Sequence, residues 1–504
     1  MTAACTCLGM GVAALVAWPS LAGLLGGALL VAVGLALAAR AALRRQRLRR
    51  FVERYHGRAL ATPKRHKVLI VSPTLIRNNG ELVKQPRLML PALNVALLAA
   101  LTPDDWDVEI IYETIEDVPF DSDADLVAIS AMGVGLWRGL QIAAEFRERG
   151  KPVIIGGPMA TLVPERVLDQ GVDSVCVGEA EGVWEQILRD FERGALKRIY
   201  RGGTTCDISF PVPRYDLIAA KKIGWFLPVQ AGRGCPYRCE FCSIAAAYHG
   251  RYRRRPIEDV IRDIEAAKSL GFSRILLLDD NIASDPRYAL ALFAAVEKQH
   301  VQWMGQCALS IARHPQLLAA AVRSGCTTLS FGLETVNQAS LDSVNKRFAQ
   351  VEDYEECLRI IREAGIDVST EMILGMDGDG PDTFKRTAEF VLRNRITLPR
   401  FYVLTPIPGT ALHDRFVDAG RITDSNFAHY NAAQVVFQPA SMTGEELERG
   451  YWELYDRVFT PSSILRRVFG GEGTSQSLLA RLFLLVINLH YRSYVRRRIC
   501  PGMV

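Results

Sequence analysis

The sequence predicts an α/β protein in which two successive series of strands alternate with helices. Three observations support this fold class. Short apolar, β-branched runs recur between helical stretches along most of the 504 residues, as in parallel sheets with helical crossovers. The segment from Asp207 to Asp216 contains two prolines and suits an extended connector between the two series. An uncharged N-terminal segment precedes both series, and a helical extension over residues 411–504 follows them.

The N-terminal segment predicts a membrane anchor over residues 1–50. No charged residue occurs from Thr2 to Ala39, and Leu21 to Leu37 is almost wholly Leu, Ala, Val and Gly. With its flanks this stretch exceeds the roughly 20 residues that cross a bilayer. Six arginines follow it: Arg40, Arg44, Arg45, Arg47, Arg49 and Arg50. Because arginine-rich flanks stay cytoplasmic, we expect a single-pass protein of the inner, cytoplasmic membrane with all later domains in the cytoplasm.

Two alternatives remain for this segment. A cleaved signal peptide would need a positive region near its start, and none precedes Arg40. A re-entrant piece could break at Trp18-Pro19-Ser20, but its first arm is too short to span.

Eleven cysteines without a regular framework favour a reducing compartment over a disulfide scaffold. The net charge of +5, without a longer basic track, gives no indication of nucleic-acid binding.

The first strand–helix series predicts a Rossmann-like, doubly wound parallel sheet over residues 67–205. Its predicted strands are Lys67–Ser72, Val108–Tyr112, Leu126–Ser130, Pro152–Ile155 and Ser174–Val177. Such sheets bind ligands at the carboxyl ends of their strands. Gly156 and Gly157 stand at one of these ends, and Gly178 and Glu179 stand at another. A missing side chain at such a position lets a ligand approach the backbone.

The second series, over residues 226–410, contains six predicted strand–helix units. The strands are Phe226–Gln230, Arg274–Asp279, Trp303–Cys307, Thr327–Gly332, Val368–Leu374 and Arg400–Leu404. The helices are Ile257–Leu270, Pro286–His300, Pro315–Ser324, Glu352–Ala364 and Pro381–Asn394. In βα barrels, functional side chains gather at the carboxyl ends of the strands.

A cysteine loop follows the first strand of this second series. Cys235, Cys239 and Cys242 are spaced Cys-x3-Cys-x2-Cys, so a short irregular loop can turn three thiolates toward a common centre. Thiolates select iron–sulfur clusters, zinc or Cu(I). A structural zinc site needs a fourth ligand, and the nearest histidine, His249, stands alone. The cysteines could also be small buried core residues. We favour an iron–sulfur cluster with one metal corner open to a substrate or cosubstrate.

This loop, with Phe241 just before its last cysteine, resembles the signature of the radical S-adenosyl-L-methionine (SAM) superfamily. The resemblance implies a [4Fe–4S] cluster held by Cys235, Cys239 and Cys242. SAM would chelate the fourth iron through its amino and carboxylate groups. The resemblance also implies that the second series folds as a partial (β/α)6 barrel.

Residues 67–205 resemble the cobalamin-binding domain that one branch of this superfamily carries. The resemblance rests on Val153–Gly157, on Pro164-Glu165 and on Val177–Glu181. The Asp-x-His-x-x-Gly motif is missing, and no histidine occurs between His66 and His249. The resemblance therefore implies cobalamin binding without an axial ligand from the protein. The alternative is a Rossmann-like domain that has lost cobalamin.

Four polar residues of the predicted barrel are candidates for cofactor binding. Asp280 lies where the family often has a Gly-Gly-Glu-like turn near the SAM amino group; a solvated turn is the alternative. Gln306 ends the third strand and could face the barrel interior. The resemblance places Glu334 at the ribose hydroxyls of SAM, with a surface ion pair as the alternative. Glu371 lies within the fifth strand, before Gly375, whose small size would leave room for the adenine. No catalytic side chain is predicted.

Two further basic features have open interpretations. Arg251, Arg253, Arg254 and Arg255 could neutralise an anionic substrate headgroup or the cobalamin phosphate, or they could form a solvated face. Near the C-terminus, Leu478–Leu489 is apolar but too short to span a membrane. It predicts either an amphipathic helix at a membrane interface or a helix packed on the barrel.

The expected function is that of a radical SAM enzyme acting on an unactivated C–H bond. Our first choice is cobalamin-dependent methylation of a membrane lipid or isoprenoid. The alternatives are a non-methylating radical reaction on a lipid or tetrapyrrole, and a membrane-tethered sensor without turnover. The expected partners are a hydrophobic small molecule or lipid, the membrane and a one-electron donor such as flavodoxin or ferredoxin, but not nucleic acid.

Overall fold

Two parallel sheets of six strands form the frame of the protein. The computed structural model describes residues 21–77, 80–203, 209–470 and 478–501. The strands of the first sheet are β1 (His66–Ser72), β2 (Trp106–Tyr112), β3 (Leu126–Ser130), β4 (Val153–Gly156), β5 (Ser174–Val177) and β6 (Ile199–Arg201). Their order is β2-β1-β3-β4-β5-β6, with every pair parallel. The helices of this part are Leu93–Leu101, Leu136–Glu148, Pro158–Leu162, Pro164–Leu168 and Trp184–Glu192.

The second sheet is the partial barrel. After the short helix Tyr215–Ala219, its strands β7 (Leu227–Gln230), β10 (Arg274–Leu278), β11 (Gln302–Gln306), β12 (Cys326–Glu334), β13 (Asp367–Leu374) and β14 (Leu398–Val403) follow one another in space as in sequence. Between β7 and β10, the short strands β8 (Gly232–Gly234) and β9 (Tyr252–Arg254) pair as an antiparallel ribbon. The helices are Ser243–Tyr248, Ile257–Ser269, Pro286–Glu297, Pro315–Arg323, Gln338–Ser343, Tyr354–Glu363, Thr383–Arg393 and Ala411–Asp418.

The N-terminal helix differs from the prediction. It runs from Leu21 to Tyr55 and continues through the arginine-rich stretch without a break. No helix among the described residues is long and apolar enough to cross a membrane. The predicted transmembrane helix is therefore wrong, and so is the single-pass location in the inner membrane. Residues 1–20, with Trp18-Pro19-Ser20, lie outside the described residues.

The basic half of this helix packs on the protein instead. Phe51 is buried in the core, and the guanidinium of Arg44 donates a hydrogen bond to the carbonyl of Ala219, with Nε 3.2 Å from the oxygen. Arg44, one of the arginines predicted to flank a membrane, thus contacts the backbone that follows the connector.

The C-terminal extension packs on the last barrel strands. Its helices are Gly444–Val458, Pro461–Phe469 and Leu478–Arg496. The buried Asn488 donates to the carbonyl of Thr397 at 3.1 Å, and Arg481 lies 3.4 Å from the carboxylate of Asp367. Leu479 and Val486 on the same helix are exposed. One face of this helix is therefore packed on the barrel, and its role at a membrane interface stays a prediction.

The carboxyl edges of the two sheets meet. The helix Pro158–Leu162, which follows β4, packs against the helix Ser243–Tyr248, which follows the cysteine loop. A Cβ atom on Gly409, after β14, would lie only 2.8 Å from the Cβ of Leu162. The glycine-rich strand ends of the first sheet are thereby placed beside the cysteine loop of the second.

Candidate active site

A cavity of about 370 Å³ lies at the carboxyl ends of the barrel strands. It is lined by the three loop cysteines and the four polar candidates for cofactor binding. These residues are Cys235, Cys239, Cys242, Asp280, Gln306, Glu334 and Glu371. Residues from five separate stretches of sequence therefore share one cavity, although their individual roles stay predictions. Gly375, expected to leave room for the adenine, faces Leu447 instead.

Backbone contacts fix the start of the cysteine loop. Gly234 has a φ of +84°, and a Cβ atom there would lie 2.1 Å from the carbonyl oxygen of Arg251. Only glycine fits this close approach between the two strands of the β8–β9 ribbon. The Gly234 amide donates to Oδ2 of Asp280 at 2.6 Å, and Nδ2 of Asn281 lies 3.9 Å from Sγ of Cys235.

The three thiols lie in a partly dehydrated environment. Burial raises the pKa of Cys239 to about 12, and it also raises the pKa of Cys235 and of Cys242. Thiols with such pKa values give up their protons when a soft metal binds them. Among the described residues, no three His, Cys, Asp or Glu side chains are grouped so as to hold a single metal ion. Cysteines that bind different irons of one cluster do not need that geometry.

Glu334 forms a buried ion pair with Lys346. The Lys346 Nζ lies 2.5 Å from Oε1 of Glu334 and donates to the carbonyl of Gly332 at 2.7 Å. Burial opposes the charge on Lys346, but the Glu334 carboxylate outweighs it and raises the pKa of the lysine. The predicted alternative of a surface ion pair is therefore not what is observed. Lys346 was missed because no local pattern marks a lysine twelve residues after its partner.

The turn after β10 is buried rather than solvated. Oδ2 of Asp279 accepts a hydrogen bond from the Tyr252 hydroxyl at 2.7 Å, and Oδ1 accepts one from the Asn281 amide at 2.8 Å. Burial raises the pKa of Asp279 to about 7. The neighbouring Asp280 lines the cavity with one oxygen already bonded to Gly234.

Gln306 and Glu371 differ in whether their side chains are already bonded to other residues of the protein. Within the described chain, the side-chain amide of Gln306 makes no hydrogen bond, so it is available to a ligand in the cavity. Glu371 forms an ion pair with Arg400 and accepts a hydrogen bond from Ser330 at 3.3 Å. Its carboxylate is held inside the barrel, facing the same cavity.

Close backbone contacts require two of the glycines at the strand ends of the first sheet. A Cβ atom on Gly157 would lie 2.2 Å from the carbonyl oxygen of Ala131, and one on Gly178 would lie 2.8 Å from that of Gly202. At Gly156, a Cβ would make only an ordinary contact with Cys176. Gly157 and Gly178 thus permit close packing of the loops, while Gly156, which is partly exposed at the end of β4, is not constrained in this way. Glu179 forms ion pairs with Arg233 and Arg253.

The arginines after the cysteine loop are mostly engaged within the protein. Arg253 contacts Glu179, Arg254 lies 2.8 Å from Asp285, and the fully buried Arg255 lies 2.8 Å from Asp263. Arg253 and Arg255 are buried, so neither a solvated face nor a site for a ligand anion describes them, whereas Arg254 is exposed. Their partners lie between 8 and 74 residues away along the chain, so no local spacing could have revealed them.

Comparisons with known protein families identify two domains in the chain. Residues 229–391 match the model of the radical SAM superfamily, and residues 83–188 match that of the B12 binding domain. The bacteriochlorophyllide d C-12(1)-methyltransferase of Chlorobaculum tepidum is 30% identical over 81% of this chain and 90% of its own. The hopanoid C-2 methylase of Rhodopseudomonas palustris is 26% identical over 80% of this chain and 78% of its own.

A solved structure shows the same fold. The radical SAM methyltransferase TsrM from Kitasatospora setae, with cobalamin and a [4Fe–4S] cluster bound, superposes with a TM-score of 0.63. It is 16% identical and is matched over 86% of this chain and 97% of its own. The resemblance noted from the cysteine loop and from Val153–Gly157 is confirmed.

The cofactors are a [4Fe–4S] cluster, SAM and cobalamin. The residues present fit them. One buried thiol and two partly buried thiols share a cavity with the side-chain amide of Gln306 and the buried carboxylate of Glu334, groups that suit a cluster and SAM. Gly156 is partly exposed at the carboxyl end of β4 in the first sheet, and residues 67–205 contain no histidine that could bind cobalt.

Replacing any one of Cys235, Cys239 and Cys242 by Ala should abolish the cluster absorbance and SAM cleavage, because a thiolate ligand is lost. Cys307→Ala is the matched control, since Cys307 lines the same cavity but lies outside the loop. The measurements are the visible absorption spectrum after anaerobic reconstitution and the yield of 5′-deoxyadenosine. Full activity in any of the three loop variants would refute their assignment as ligands.

Asp279→Asn should change how the stability of the cofactor-free protein depends on pH. Between the ordinary value of 3.8 and about 7, the unfolded carboxyl is ionised while the folded one keeps its proton. Folding stability therefore falls as pH rises through this range, by at most about 1.4 kcal/mol per pH unit. The amide side chain of the variant does not titrate, so the variant should lack this decline. Urea unfolding at about pH 5, 6 and 7 measures it, and equal slopes for the two proteins would contradict the assignment.

Proposed function

The chain belongs to the family of cobalamin-dependent radical SAM methyltransferases, and we propose that it methylates a carbon atom of a tetrapyrrole. The observation that carries the proposal is the single cavity in which the three loop cysteines, Glu334 and a pair of stacked aromatic rings meet. A cavity of this kind can hold a flat, largely apolar substrate next to the site where SAM is cleaved.

The aromatic pair favours a planar substrate. The rings of Tyr237 and Phe348 stack at a centroid distance of 3.5 Å with an interplanar angle of 5°, and both line the cavity. Phe348 is 41% exposed, so part of this ring is accessible to a ligand. Conjugated macrocycles stack on such faces. Arg313 also lines the cavity; it pairs with Asp353, and the exposed part of its guanidinium can still donate to a peripheral carboxylate.

The relatives support the same substrate class. The relative that reaches 30% identity acts, by its name, on bacteriochlorophyllide d. A membrane lipid or isoprenoid remains a second candidate, favoured by the similarity to the hopanoid C-2 methylase. A transmembrane anchor would have favoured a lipid substrate, but the described residues contain no helix that could cross a membrane.

When bound, the cluster supplies the electron that cleaves SAM, and cobalamin supplies the methyl group. The residues of the chain bind SAM and orient the substrate. We expect Glu334, which pairs with Lys346, to accept the ribose hydroxyls of SAM, and Gln306 and Asp280 to offer polar groups to its remaining parts. The apolar walls exclude water and stray hydrogen donors from the reacting carbon.

The overall reaction balances with two molecules of SAM and two electrons. One SAM gives its methyl group and becomes S-adenosylhomocysteine. The other takes up the substrate hydrogen atom and leaves as methionine and 5′-deoxyadenosine. Both electrons come from an external one-electron donor, for which we propose flavodoxin or ferredoxin.

Incubation with methyl-deuterated SAM, a reductant and either a bacteriochlorophyllide or a hopanoid tests the proposal by mass spectrometry. We expect the label in the tetrapyrrole, with 5′-deoxyadenosine formed in equal amount. Label in the hopanoid alone would favour the lipid candidate. 5′-Deoxyadenosine with an altered but unlabelled product would indicate a non-methylating reaction, and the absence of both would contradict methylation of either substrate.

A further inference from the structure

We propose that Glu179, Arg233 and Arg253 form an interdomain clamp that fixes the cobalamin-binding domain against the cluster loop. The three are positioning residues, because they act on the distance between two cofactor sites and not on a reacting atom. The clamp itself is independent of the substrate, while its effect on methyl transfer rests on the proposed function.

The contacts form one continuous network. Nη1 of Arg233 lies 3.0 Å from Oε1 of Glu179, and Nη1 of Arg253 donates to Oε2 of Glu179 at 2.9 Å. Both oxygens of one carboxylate are therefore engaged by two guanidinium groups. Nη2 of Arg233 also lies 2.5 Å from Glu181, so two acidic and two basic groups balance their charges.

The network is buried, and this favours one relative arrangement of the two domains. The side chains of Glu179, Arg233 and Arg253 are each 10% exposed or less. Burial raises the pKa of Glu179, but the two arginines outweigh it and the pKa is lowered. The carboxylate is therefore ionised at neutral pH. A buried charge that loses its partner is strongly destabilised, so the two domains have one favoured arrangement at this point.

The position of the clamp connects the two cofactor regions. Glu179 follows β5, at the carboxyl edge of the cobalamin-binding sheet. Arg233 and Arg253 are paired in register across the β8–β9 ribbon, whose strands flank the cysteine loop. The guanidinium of Arg253 also lies 5.2 Å from the ring centre of Tyr248, at the end of the helix that follows Cys242. The carboxylate of Glu179 thus contacts both strands that flank the cysteine loop.

This placement matters for a reaction with two cofactors on one substrate. The substrate carbon loses hydrogen at the SAM site and gains a methyl group from the cobalamin side. A displacement of about 1 Å can cost roughly 100-fold in rate. Loosening the clamp should therefore separate SAM cleavage, which needs only the barrel, from methyl transfer, which needs both domains.

Glu179→Gln tests the clamp, since it removes the charge and keeps the shape. Asp367→Asn is the matched control, because it breaks a similarly buried ion pair, with Arg481, on the side of the barrel that packs on the C-terminal helix. In the full-length protein without cofactors, we expect amide hydrogen exchange in residues 177–183 to be at least about ten-fold faster in the Glu179 variant. The control should leave exchange in this segment unchanged.

The loaded enzyme gives the second readout. The Glu179 variant should keep its cluster spectrum and its SAM cleavage, while the ratio of methylated product to 5′-deoxyadenosine falls about ten-fold or more. Should the variant not fold, Arg253→Lys, which keeps the charge but loses the planar fork, replaces it in both measurements.

The outcomes are distinguishable. Unchanged exchange in residues 177–183 would overturn the clamp, whatever the product ratio. Faster exchange with an unchanged product ratio would overturn its positioning role. If the wild-type protein itself yields no methylated product, the proposed function fails, and the exchange measurement still decides whether the clamp exists.

Discussion

The carboxyl ends of parallel strands impose the arrangement on which this protein depends. In each sheet every strand ends at the same edge, so residues far apart in sequence are brought together there. The two edges then meet, with Leu162 against Gly409 and Glu179 against Arg233 and Arg253. The carboxyl ends of the first sheet therefore lie beside the cysteine loop of the second.

Buried charges hold this junction and the cavity beside it. Burying an ion costs several kcal/mol unless a partner compensates it, and three carboxylates at this site have such a partner. Lys346 compensates Glu334, Arg400 compensates Glu371, and two arginines compensate Glu179. Such pairs add little net stability, but they are satisfied in only one geometry. They are suited to a site where two cofactors must keep a fixed relation.

The sequence predicted much of the framework, because periodicity and turn residues are local signals. Leu126–Ser130 and Ser174–Val177 have their predicted bounds, whereas the three-residue strand Ile199–Arg201 is too short to give a pattern. The cysteine spacing led to the correct family. Partners across the domain boundary were not predictable: Glu179 was expected to contact a ligand, and it pairs with arginines 54 and 74 residues away. At the N-terminus, hydropathy predicted a membrane span where the described helix continues into residues that pack on the protein.

The central claim is that one chain carries a cluster in its barrel and cobalamin in its first domain. Anaerobic purification followed by quantification of iron, sulfide and cobalamin tests it most directly. The account predicts iron and sulfide in equal amounts, about four of each per chain, together with one equivalent of cobalamin after reconstitution. Zinc in place of iron, or iron and sulfide without any retained cobalamin, would contradict it.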